Sequence, residues 1–153
     1  MVRHKNRYII IEVTESPGDT RKPTNALKLN QNLLYRSIIN MVQKLHGDFG
    51  VAACTAGFVL RYCNEKTRVA IIRCRHGPHK LVASSLPILK SIGTIDVHLN
   101  ILYTGATMKH CFNFIQRYQQ KKFDEFCVGL KTDEEKEELR REIMQLEPLL
   151  KMP

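Results

Sequence analysis

No stretch of these 153 residues approaches the about 18–20 consecutive apolar residues of a membrane-spanning helix. The first apolar run, Ile9 to Ile11, is short and follows Arg3, Lys5 and Arg7, so no secretory signal is expected. Paired cysteine spacing is missing too. Cys54, Cys63, Cys74, Cys111 and Cys127 are odd in number, lack a C-x-x-C pair and have apolar neighbours, which predicts free buried thiols in a reducing compartment, cytosol or nucleus. "DFG" at Asp48–Gly50 has no glycine-rich loop, strand lysine or catalytic loop beside it, so a kinase is excluded. The acids give no nuclease-type cluster: half of them fall in the solvated helical segment "TDEEKEELRREIMQLE" or stand isolated in loops. Cys74, His76 and His79, with His110 and Cys111 further on, lack the two-plus-two spacing of a zinc site, and His76 and His79 read as surface residues of a Gly-Pro loop. Cys54, in the small-residue run "VAACTAGF", reads as packing and not as a nucleophile.

What the chain has in excess is positive charge. The net charge is +9, and it is uneven: residues 1–128 hold 19 Lys or Arg against 8 Asp or Glu, and residues 129–153 hold 5 against 7. A basic body with a mildly acidic tail fits a polyanionic partner, with nucleic acid a better fit than a membrane. The chain accordingly divides into a domain over 1–128 and an acidic helical extension over 129–153. No internal repeat or low-complexity tract interrupts either part.

Periodicity predicts the elements. A strand over Arg7–Thr14 leads into the loop "SPGDTRKPTN", and a helix over Ala26–His46 places Leu34, Ile38, Met41, Val42 and Leu45 on one face before Gly47. "AGFVLRYC" and "RVAIIRCR", joined by "NEKT", read as a hairpin. An irregular helix follows, bounded by Pro78 and Gly93 and split by Pro87. "TIDVHLNILYT" alternates with Ile95, Val97, Leu99, Ile101 and Tyr103 on one side, as in a strand with one wet face. Two helices close the chain, the first with Met108, Cys111, Phe112, Ile115, Phe123 and Phe126 near helical spacing. The second opens on a Thr132/Glu135 capping box and carries Leu139, Ile143 and Leu146. The order β-α-β-β-α-β gives an α+β, ferredoxin-like or RRM-like antiparallel sheet with two helices on one face and additional C-terminal helices.

Strand parity puts Arg3, Lys5 and Arg7 on a common side and Arg73 and Arg75 on a common side, with Arg61 in the neighbouring strand. Like charges across a ladder are unfavourable unless an anion lies between them, so these six residues are the candidate RNA-binding set. "TRVAIIRCR" carries no aromatic residue, and Tyr8 and Tyr62 are as consistent with packing as with stacking, so backbone and shape contacts suit the chain better than stacked bases. Lys109, His110, Arg117, Lys121 and Lys122 line the back of the third helix as a solvated face or a second basic patch.

"MVRHKNRYIIIEV", "HGDFGVAACTAGFVLRYCNEKTRVAIIRCR" and "LNILYTGATMKHC" together resemble the family of small protein subunits of ribonuclease P and ribonuclease MRP known as the fifth "processing of precursors" proteins, in its eukaryotic nuclear form. The resemblance covers Met1 to Lys122, with no match seen beyond Thr132. It implies an RRM-like fold without the usual stacking aromatics, and a protein without catalytic or metal-binding residues of its own. It implies assembly with the catalytic RNA and other protein subunits, among them the TIM-barrel-like thirty-kilodalton subunit. The RNA and its bound magnesium would then cleave precursor tRNA at the 5′ end, or precursor rRNA in the MRP particle. It implies residence in the nucleus and nucleolus, and no cofactor on the protein. Alternatives from the residues alone are a general or ribosome-associated RNA-binding domain, a protein-only nuclease, and a basic face that docks an acidic protein subunit.

Overall fold

Residues 3–16, 29–129 and 131–144 are described by the structure, a computed structural model. The first strand, β1 (Asn6–Glu15), is the centre of the sheet. Its Ile9, Ile10 and Ile11 are all fully buried, which requires cover on both sides of the strand. The helix α1 (Gln31–Thr55) follows, then β2 (Val59–Asn64), β3 (Val69–Arg75), the short helix α2 (His79–Ser85) and a single 3-10 turn at Leu86–Ile88. The two-residue strand β4 (Ser91–Ile92), β5 (Ile95–Gly105), α3 (Met108–Cys127) and α4 (Asp133–Ile143) complete the order. The five strands pair antiparallel as β2-β3-β1-β5-β4, so the four long strands have the α+β, RRM-like arrangement.

The expected hairpin forms, and Asn64 closes its turn: the Asn64 side-chain oxygen accepts from the backbone N–H groups of Lys66 (2.9 Å) and Thr67 (3.3 Å). Pro87 ends α2 as expected. The residues after it form the 3-10 turn and β4, so Gly93, at φ 62°, turns the chain between β4 and β5 and does not end a helix.

The expected stop of α1 at Gly47 is instead a break. Asn30 caps the helix, its side chain accepting from the Asn32 N–H at 2.9 Å, and the leading part of the anticipated helix lies largely outside the described residues. Gly47 takes φ 67°, ψ −165°, and the helix resumes through Val51 and Cys54 to Thr55. Leu45, expected on the apolar face, is 42% exposed.

One face of the sheet packs Ile9, Ile11, Ala70, Ile72, Val97 and Leu99 against Leu34, Ile38 and Val42 of α1 and Val82 of α2. The second face, expected to be wet, is covered over much of its area by α3, whose Cys111 and Ile115 are fully buried against Ile10, Tyr62, Val69 and Ile71. A register shift in the β1–β5 ladder, where Ile10 faces Tyr103 and Ile11 faces Ile101, inverts the parity of β5. Ile101 therefore stays with the α1 face, and Tyr103 turns to the α3 face and stacks on Phe114 at 5.0 Å. Only the first part of β5 keeps the wet alternation, with Asp96, His98 and Asn100 exposed.

The helix α3 is bolted to β1 and to the hairpin. Tyr118 donates to the Glu12 carboxylate at 2.5 Å, with Lys122 3.6 Å from the same oxygen, and burial, then this hydrogen bond and the Glu12 charge, push the Tyr118 phenol up. Gln119 is fully buried and donates to the Tyr62 hydroxyl at 2.9 Å. The extension folds back on the hairpin through α4: Ile143 is fully buried, its carbonyl accepts from Asn64 at 3.5 Å, and Lys66 pairs with Glu142 at 3.2 Å. Thr132 sits at the N-cap of α4 without a side-chain capping bond, and Leu146 lies outside the described residues.

Candidate nucleic-acid interface

The structure divides the six cations that strand parity groups in the sequence. Arg3 and Lys5 precede the β1 ladder as exposed residues, although the chain is already held there by the His76 N–H donating to the Lys5 carbonyl at 2.8 Å. Arg7 stands across from Cys74, on the face that carries Ile9 and the α1/α2 layer, and its guanidinium donates to the carbonyls of His4 (3.1 Å) and Asn6 (2.9 Å). Arg73 and Arg75 have the opposite parity, across from Tyr8 and Asn6. Arg73 is half-buried, and its Nε is enclosed without a hydrogen-bond partner among the described residues. Arg61 occupies the extra position of a bulge in β2 and has no partner in the β2–β3 ladder, and Val59 lies opposite Arg73.

What unites Lys5, Arg7 and Arg75 is the end of the sheet they share. Asn6 pairs with Arg75 and Arg7 with Cys74, so the start of β1 and the end of β3 lie side by side. Arg75 extends past Gly57, which continues the line of β2. A Cβ at Gly57 would lie 3.3 Å from Arg75 Cγ and 3.4 Å from its Nε, and Gly57 holds φ +92°, so glycine makes room for this arginine. The turn after β3 adds three residues: His76 and His79, which the sequence marks only as surface, stack with ring centroids 5.4 Å apart, and Lys80 follows. Burial first, then the positive neighbours His76, Arg7 and Lys80, lower the pKa of His79, whose Nδ1 accepts from the Gly77 N–H at 3.1 Å. The signal that could have found them is their place directly after Arg75 at a strand end.

Ion pairs sharpen the contrast between the two ends of the molecule. Among the described residues, Lys66, Arg68, Lys122, Lys136 and Arg141 all pair with acids, and all belong to the hairpin turn, α3 or α4. None of Arg3, Lys5, Arg7, Arg61, Arg73 and Arg75 does so among those residues. The end of the sheet formed by residues 3–7 and 75–80 is thus a concentration of cations without counter-ions among the described residues, suited to phosphate groups.

The centre of the sheet offers no stacking platform. Tyr62 is 5% exposed, with its hydroxyl bonded to Asn64 and Gln119, and Tyr8 packs into the layer under α3. Nor do the thiols of Cys54, Cys63, Cys74 and Cys111 offer a nucleophile: burial pushes Cys63 and Cys74 up to about 12 and Cys111 up to about 11, and also raises Cys54. Among the described residues no group of three or more His, Cys, Asp or Glu is placed to hold a metal ion, and no helix is long and apolar enough to cross a membrane.

Comparison with known proteins agrees with this architecture. Residues 7–116 match the model of the Rpp14/Pop5 family. The ribonuclease P/MRP protein subunit POP5 of Danio rerio is 29% identical over 150 residues, covering 94% of this chain and 86% of its own length. The Bos taurus protein of the same name is 30% identical over 147 residues, covering 94% and 84%. Coverage of that extent takes the similarity past Lys122 and into the acidic extension, further than the quoted motifs reach. A chain in the cryo-EM structure of yeast ribonuclease MRP shares the fold, with a TM-score of 0.57 at 14% identity, over 83% of this chain and 98% of that one. The chain belongs to the Rpp14/Pop5 family.

Proposed function

We propose that this chain is a non-catalytic, RNA-binding and scaffolding subunit of ribonuclease P and ribonuclease MRP, and that it grips RNA phosphates with the cationic end of its sheet. The observation that carries the reading is the run of residues 3–7 and 75–80, where Lys5, Arg7, Arg75 and Lys80 gather around a histidine pair without an ion-pair partner among the described residues. Arg3 extends this surface, and Arg61 and Arg73 border it on the hairpin side. Family membership supplies the particle, because relatives over nearly the whole chain are subunits of ribonuclease P/MRP by name.

On this reading the RNA, with magnesium bound to it, performs the 5′ cleavage of precursor tRNA and the processing of precursor rRNA, and the protein carries no cofactor. Its protein partners include the TIM-barrel-like thirty-kilodalton subunit, and it resides in the nucleus and nucleolus. The covered sheet supports contact through phosphates and shape, since α3 lies where single-strand readers of this topology expose aromatic rings.

The test is to tag the protein in its native cell, purify at moderate salt, sequence the co-purifying RNA and assay the eluate for precursor tRNA cleavage. One or two structured RNAs with magnesium-dependent 5′ cleavage that is abolished by RNA digestion is the expected result. Ribosomal or heterogeneous RNA without that activity would instead establish a general RNA-binding domain. Cleavage by the purified chain alone would contradict the non-catalytic reading.

A further inference from the structure

At the far end of the sheet from the cationic cluster, α1 and the segment from the 3-10 turn to β4 enclose an open groove of about 700 Å³. Its α1 wall is one stripe, Leu33, Arg36, Ser37, Asn40, Met41 and Lys44, about 16 Å long at the helical rise. The opposite wall is Ile88 to Ser91 with Gly93. Aliphatic carbon is open to solvent in it: Leu33 is 43% and Ile88 49% exposed. Among the described residues no aromatic side chain lines it, so a base has nothing there to stack on. Three cations, Arg36, Lys44 and Lys90, stand among these residues, and no acid does. None of the three forms an ion pair with another described residue.

We infer that this groove docks an acidic amphipathic helix of a partner protein. Aliphatic side chains of that segment fill the space beside Leu33, Met41 and Ile88, and its carboxylates meet Arg36, Lys44 and Lys90. Apolar surface interrupted by cations rewards a ligand that has both features, and the length of the α1 stripe matches about three turns of helix. The exposed aliphatic carbon argues for a polypeptide over RNA, whose backbone would satisfy the cations and leave Leu33 and Ile88 wet. The site is separate from the proposed RNA surface: Asn6 pairs with Arg75 at one end of β1, and Glu15 lies beside Val97 and the β4 corner at the other, about 30 Å away along ten residues of strand.

The experiment places the photoreactive residue p-benzoylphenylalanine in the full chain at the exposed groove position Asn40, and separately at Lys5, in native cells. The crosslinked species is identified by mass spectrometry down to the peptide. At position 40 the expected product is a peptide of another protein with aliphatic residues at helical spacing and a net negative charge. The triple change Arg36→Glu, Lys44→Glu, Lys90→Glu should lower its yield at least tenfold. These are surface positions, so an unchanged thermal melt confirms folding, and Arg36→Gln, Lys44→Gln, Lys90→Gln gives an intermediate yield. Crosslinking to RNA at position 40, to a peptide without excess acid, or to nothing overturns the inference. The co-purifying RNA is a separate readout, so loss of the ribonuclease reading and loss of this docking site are distinguished.

Discussion

Neutralising Arg3, Lys5 and Arg75 together removes three exposed cations that have no acid partner among the described residues. Each phosphate contact contributes about 0.7–0.9 to the slope of log affinity against log salt, so Arg3→Gln, Lys5→Gln, Arg75→Gln should flatten the slope by about 2 to 2.7. Extrapolated from 1 M to 0.15 M salt, that difference is about 100-fold in affinity, or about 2.7 kcal/mol. The comparison variant neutralises three cations that already have carboxylate partners, Lys66 on Glu142 (3.2 Å), Lys136 on Asp133 (3.7 Å) and Arg141 on Glu137 (3.9 Å). Both variants lose the same net charge, and at physiological salt the field of either set fades within about 8 Å, so only local contact separates them. The assay is fluorescence anisotropy of the RNA that co-purifies with the protein, titrated at four salt concentrations. Equal flattening by the two variants would refute the argument, because binding would then follow total charge and not the end of the sheet.

Two further predictions follow from named contacts. His79 holds its proton less readily when folded than the usual value of 6.5, so below that pH the unfolded state binds more protons and folding stability falls as pH drops. His79→Gln should remove that loss between about pH 7 and pH 5 in thermal melts, while RNA affinity of the native chain should rise over the same descent, because a phosphate favours the imidazolium; a stability profile identical with and without His79 would exclude the mechanism. Ile115→Ala should cost about 2–5 kcal/mol in urea unfolding, as expected of a fully buried aliphatic residue between α3 and the sheet, whereas a cost below about 1 kcal/mol would mean that α3 is not an integral layer.

The elements that were legible in the sequence are those whose signals are local. The hairpin was marked by two runs of β-branched and aromatic residues around an Asn-initiated turn, and Pro87 split its helix where a missing N–H dictates. Three features were not legible because each depends on one residue's backbone conformation or on a distant partner. Gly47 has the composition of a helix terminus, and only its conformation reveals that the helix restarts at the next residue. The bulge in β5 leaves no mark in the alternation from Ile95 to Tyr103, yet it sends Tyr103 to the opposite face from Ile101. The cover of the second face depends on where α3 lands, and its aromatic spacing states only that it must bury a side.

The same distinction applies to the candidate interface. Strand parity grouped Arg3, Lys5 and Arg7 at the entry to β1, but it could not show that Arg7 and Arg73 point to opposite faces, nor that Arg61 sits in a bulge without a partner on β3. The grouping by sheet end, which adds His76, His79 and Lys80, needed the β1–β3 register. With that register, an odd-looking glycine also acquires a role: Gly57 leaves the space beside its neighbour that Arg75 occupies.

A lysine footprint of the intact particle, comparing acetylation rates with RNA present and after nuclease digestion, tests directly where RNA lies on this protein. Lys5 and Lys80 should be protected at least tenfold by RNA, while Lys66 and Lys136, at the opposite, ion-paired side, react alike in both states. Protection of Lys66 and Lys136 with Lys5 and Lys80 unaffected would place the RNA on the other side of the molecule and contradict the proposed RNA surface.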